Sequence, residues 1–80
     1  MKHDLKWFLS SRVARARMHL KLSQEEFAKL THFSVSFISM LERGERSISI
    51  DGLQQLAELT GFPAEWFIDG YEEQMYEPPG

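Results

Sequence analysis

Residues 22–44, Leu22-Ser-Gln-Glu-Glu-Phe-Ala-Lys-Leu-Thr-His-Phe-Ser-Val-Ser-Phe-Ile-Ser-Met-Leu-Glu-Arg-Gly44, carry two helix-start signatures in quick succession. Ser23 followed by Glu26 reads as a capping box. In that arrangement the serine oxygen accepts from the Glu26 backbone N–H, and the glutamate accepts from the Ser23 N–H. Leu22 before the cap and Phe27 at the fourth helical position form the accompanying hydrophobic staple. The pattern repeats at Ser34, with Phe33 and Ile38 as a second staple, so a new helix must begin there. Between the two starts there is room for about two helical turns ending near Thr31, which leaves His32 and Phe33 to turn the corner. Arg43 and Gly44 then supply the positive charge and the left-handed residue expected at a helix end, giving a third helix over about 35–43.

Working outward, Leu5, Phe8, Leu9, Val13, Ala16 and Leu20 recur at helical spacing and predict a first helix over 5–19, with Asp4 as its cap. Arg12 and Arg15 are expected to point away from that stripe. Ser49 caps a fourth helix with Leu53, Leu56, Ala57 and Thr60 on one face and Gly61 as its stop. Pro63 suits the first turn of a short fifth helix through Ile68, which gathers Trp66, Phe67 and Ile68 beside Phe62, with Phe67 the best core candidate. The expected architecture is all-α, a compact five-helix domain over residues 1–70 followed by an acidic tail over 71–80 that ends in Pro-Pro-Gly.

Eighty residues suffice for one small domain, modestly stable alone. The absence of cysteine excludes disulfides and thiolate metal sites, and His3, His19 and His32 match no ligand spacing, so neither metal nor cofactor is expected. No apolar run is long enough for a bilayer or a signal peptide, and a soluble, cytoplasmic protein without membrane partners is the expectation. The net charge of −3 divides unevenly. Nine bases against five acids leave residues 1–46 at +4, whereas residues 47–80 hold seven acids and no Lys or Arg and stand at −7. That asymmetry is compatible with a basic face for phosphates and an acidic end turned away from them, or with two ordinary solvated surfaces.

Projected on a helix, Ile38 and Leu41 of the third segment point inward, while Ser36, Ser39, Met40 and Arg43 point outward with Val35 on the flank. Small outward side chains let a helix approach base edges in the major groove, and Ser23, Gln24 and the first N–H groups of the second helix can meet a phosphate. A compact helical domain with a solvated polar face has the same pattern. The residues add a resemblance. Leu22-Ser-Gln-Glu-Glu-Phe-Ala, Phe33-Ser, Ile38-Ser and Leu41-Glu-Arg-Gly44 resemble the lambdoid repressor/Cro class of helix-turn-helix proteins, and the likeness extends over roughly residues 12–70. It implies a repressor-like domain that binds double-stranded DNA as a homodimer on a palindromic operator, with residues 35–43 as the recognition helix.

Carried onto this chain, the resemblance makes Gln24 a phosphate anchor, sets Ser34, Val35, Ser36, Ser39 and Met40 toward the groove, and has Arg43 and Arg46 hold the backbone at its edge. It further implies a structural salt bridge between Arg17 and Glu42. Phe37 is expected at the helix edge, within reach of a sugar or a thymine methyl. Two departures stand out. His32 occupies a turn position usually held by glycine, and it must adopt a left-handed or neighbouring conformation. The reading positions lack Gln, Asn, Arg and Lys, so direct readout is expected to be modest and supplemented by DNA shape and dimer spacing. Trp66 and Tyr71 are the candidate dimer anchors. A second reading is a protein-interaction module, an antitoxin or adaptor, that keeps this fold with little DNA binding. Enzyme chemistry has no nucleophile–base pair, metal set or phosphate loop behind it.

Overall fold

Three of the five helices begin at a serine whose hydroxyl oxygen accepts a backbone N–H, as the sequence predicts. The computed structural model describes the backbone of residues 5–68 and the side chains from Leu9 onward. The helices are α1 (Leu5–His19), α2 (Gln24–Thr31), α3 (Val35–Glu42), α4 (Ile50–Thr60) and α5 (Ala64–Ile68). Ser23 accepts from the Glu26 N–H at 3.1 Å while Glu26 accepts from the Ser23 N–H at 2.9 Å, closing the capping box of α2. Ser34 accepts from the Phe37 N–H and Ser49 from the Gly52 N–H, both at 3.0 Å. Asp4, Tyr71 and the acidic tail over 71–80 lie outside the described residues.

The helix ends are equally local, but only in part glycine-made. At Lys21, His32 and Gly44 the chain turns left-handed, with φ of 61°, 64° and 76°. The same pair of bonds recurs at each: Leu22 N–H to Arg17 O with Lys21 N–H to Met18 O, Phe33 to Ala28 with His32 to Lys29, and Glu45 to Met40 with Gly44 to Leu41. These are Schellman ends, which satisfy carbonyls that the helix leaves without partners. His32 therefore adopts the conformation that its place in the turn demands, and Lys21 does so at a site with no glycine signal. Gly61, φ 84°, ends α4 with one bond to Ala57 O, and the Thr60 hydroxyl accepts the next N–H, from Phe62.

Around these starts and stops the helices close a circuit. α1 packs on α3 and α5, α2 on α3 and α4, and α4 on α5. Inside lie Leu9, Val13 and Ala16 of α1, Phe27 and Ala28 of α2, Ile38 and Leu41 of α3, Leu56 of α4 and Phe67 of α5, all buried. The fit between α2 and α4 is partly polar. Gln55 donates its side-chain N–H to the Thr31 carbonyl at 2.7 Å, serving an orphan acceptor at the end of α2, while the buried Thr31 hydroxyl donates to the Phe27 carbonyl at 2.8 Å. Arg12 departs from the sequence expectation. It is half-buried rather than directed to solvent, donates from Nη1 to the Trp66 carbonyl at 3.0 Å and lies 5.0 Å from the centroid of the Trp66 ring. Its charged head thereby ties α1 to α5.

Left-handed Lys21 and His32 hold strain of roughly 1–2 kcal/mol each, against which glycine would bring a flexibility cost of about 0.4–1 kcal/mol in the unfolded chain. Lys21→Gly and His32→Gly should each stabilise the fold by about 0.5–1 kcal/mol in urea unfolding. Loss of stability in either variant would show that the native side chain, not the backbone turn, is what the position needs.

Candidate DNA interface

Where α1, the start of α2 and the end of α3 meet, one carboxylate collects three donors. Arg17 of α1 donates from Nε to Glu42 Oε2 at 2.7 Å and from Nη2 to Glu42 Oε1 at 3.1 Å. Gln24, the first residue of α2, donates its amide N–H to Oε1 at 3.0 Å. The remaining guanidinium nitrogen, Nη1, donates to the Leu22 carbonyl at 3.0 Å. Glu42 is only 8% exposed and Arg17 20%, so the pair works largely out of water. Hydrogen bonding to Glu42, reinforced by its charge and opposed by partial burial, raises the Arg17 pKa above its ordinary value.

This hub opens onto a shallow groove lined by Gln24 from α2 and by Val35, Ser36, Ser39, Met40 and Arg43 along α3 and its C-cap. Six residues singled out from sequence thus come together on one surface. Val35 and Ser36 are exposed, whereas Ser39 and Met40 are half-buried in the groove wall. Gln24 is also half-buried, since its amide is turned toward Glu42. The other predicted residues have different positions. Ser23 and Ser34 are the caps of α2 and α3. Phe37 is half-buried on the far flank, 4.8 Å from the Phe33 ring centroid, and the exposed Arg46 lies over it at 5.3 Å. Trp66 sits away from the groove, packed on Phe62 and Phe67 and under Arg12.

Arg43 holds an arrangement that helical projection does not reveal. It donates from Nε and Nη2 to the two oxygens of Glu45 at 3.1 and 3.0 Å, and from Nη1 to the Ser39 hydroxyl oxygen. Hydrogen bonding to Arg43 keeps the Glu45 carboxyl below the usual carboxylate range, and the same bond raises Arg43. Both residues are about half exposed. A carboxylate two positions after an arginine in a turn was the available signal.

Residues 13–67 match the family model described as Helix-turn-helix, a span that runs from the core of α1 to Phe67 and includes the whole hub and groove. The chain belongs to the Cro/C1-type helix-turn-helix family. A helix-turn-helix relative, the uncharacterized HTH-type transcriptional regulator y4dJ of Sinorhizobium fredii (strain NBRC 101917 / NGR234), is 36% identical over 58 residues, covering 72% of this chain and 75% of that protein. Among the described residues of this helix-turn-helix chain no helix is long and apolar enough to cross a membrane.

Removing one member of the hub strands a mostly buried charge, which costs about 3–5 kcal/mol when burial is complete. With Arg17 partly wet, Arg17→Ala or Glu42→Ala should lose about 2–3 kcal/mol in urea unfolding. The double replacement Arg17→Met with Glu42→Leu should recover most of it. A double variant as unstable as the worse single one would mean that the ion pair, not its desolvated remainder, carries the stability.

Proposed function

We propose that this helix-turn-helix chain is a sequence-specific, double-stranded-DNA-binding transcriptional regulator that represses as a homodimer on a palindromic operator, with α3 in the major groove. Family membership and the relative's designation as a transcriptional regulator support DNA-binding regulation. The observation that carries the docking mode is the groove itself: small side chains of α3 lie beside the N-terminus of α2, and Glu42 fixes the distance between them.

Each part has a physical role. The N–H groups of Gln24 and Glu25 have no acceptor within α2 and offer a phosphate site, tempered by the acidic Glu25 and Glu26 in the same turn. Gln24 keeps one amide N–H beyond the one given to Glu42, and Arg46 stands exposed over Phe37 on the other flank of α3. On the base side, Val35 and Met40 suit thymine methyls and Ser36 a hydrogen bond. The second reading, a protein-interaction module, draws on the neutralised arginines: Arg17 and Arg43 are both matched by glutamates, which leaves the face less basic than its sequence.

Salt dependence separates the two. Binding to duplexes selected from a random pool should weaken steeply with salt, with a log–log slope of about −0.9 per phosphate contacted. Failure to recover any bound duplex at low salt would rule out DNA recognition and leave the interaction module. For the homodimer, α5 supplies exposed Ile68, 39% accessible, next to Trp66 and toward Tyr71 in the sequence. Ile68→Asp should shift sedimentation toward monomer with helix content unchanged, since its side chain is not part of the core. A variant that sediments as a dimer would remove this face from the interface.

A further inference from the structure

The arginine at the end of α3 is aimed before any ligand arrives. Guanidinium has five N–H donors in a fixed plane. In Arg43 the Nε edge, Nε–H with one Nη2–H, is closed by both oxygens of Glu45, and one Nη1–H goes to Ser39. Two donors remain, one on Nη1 and one on Nη2, and with Ser39 on the Nη1 hydrogen that faces Cδ they stand side by side at the tip of the fork. That spacing matches two acceptors on one edge, as presented by O6 and N7 of guanine in the major groove. Ser39 sits one turn earlier on α3 and lines the same groove as Arg43, so the fork is anchored to the face that holds the reading side chains.

We infer that Arg43 reads a guanine, with Glu45 and Ser39 as the positioning residues that hold its fork, rather than clamping a phosphate. This rests on the proposal that α3 enters the major groove. The choice between base and backbone follows from charge. A phosphate on the open fork would bring an anion next to the Glu45 carboxylate, which already neutralises the arginine. A guanine edge carries no net charge, keeps both hydrogen bonds and meets no such repulsion. Holding the side chain in one orientation also removes much of the rotamer freedom that a long arginine loses on binding. The reading face thus gains the bidentate contact that Val35, Ser36 and Met40 cannot make.

The test uses the full chain and duplexes selected from a random pool, with affinity followed by fluorescence anisotropy at several salt concentrations. The selected half-site should contain a G·C pair whose replacement by A·T, or whose guanine replacement by 7-deazaguanine, weakens wild-type binding roughly 5- to 100-fold. Arg43→Ala should bind the selected and substituted duplexes alike, and Arg43→Lys should not restore the difference. Glu45→Gln should narrow the ratio while raising affinity for random duplexes and steepening their salt dependence. Two results would overturn the inference. One is an Arg43→Ala variant weakened by the same factor on every duplex with the salt slope reduced by about one ion, the signature of a phosphate contact. The other is a Glu45→Gln variant with the wild-type ratio. An empty selection would instead remove groove reading altogether, and this inference with it.

Discussion

Glu42 is the last residue of α3, where the helix dipole disfavours a carboxylate, and it is almost completely covered. It is held there by donors from two other helices, Arg17 of α1 and Gln24 of α2. Once that charge is buried, the three elements have little freedom to move apart without stranding it. The Leu22 carbonyl, bonded to the same guanidinium, brings the entry to α2 into the arrangement. The relative placement of α2 and α3, on which any groove between them depends, is therefore set by an ion pair at one end and by Phe27, Ile38 and Leu41 in the core at the other.

A pattern of arginine use follows. Arg17 is turned inward for architecture, Arg12 is laid over Trp66 to join α1 and α5, and Arg43 is steered by Glu45 at the surface. Three of the nine Lys and Arg of the first half of the chain are thus committed to partners within it.

The starts of α2, α3 and α4 were legible because each is written within four residues: a serine, its N–H donor and, at α2, the reciprocating glutamate. Helical projection likewise placed Ile38 and Leu41 inside, and Phe67, the core choice among the aromatic cluster of α5, is buried as well. Contacts between elements were less visible. Gln55 reaches Thr31 across 24 positions and Arg12 reaches Trp66 across 54, and nothing in local spacing encodes either. Arg12 was assigned to solvent because periodic patterning scores its charge and not its long apolar arm. The Arg17–Glu42 bridge came from family resemblance, and the structure shows in addition that Gln24 shares the carboxylate. Lys21 gives no sign of its left-handed backbone because lysine has no special affinity for it. Arg43 and Glu45 are near neighbours in sequence, yet only the left-handed turn at Gly44 between them folds one onto the other.

On the proposed function, DNA meets the hub-supported face of α2 and α3. Titration of the nitrogen-15-labelled chain with a selected duplex, followed through backbone amide resonances, examines that face residue by residue. The expected result is a continuous set of shifts over Ser23 to Glu25 and Ser34 to Arg46, with the α4 and α5 amides moving less. Shifts confined to α4 and α5, with the α3 amides unmoved, would contradict it.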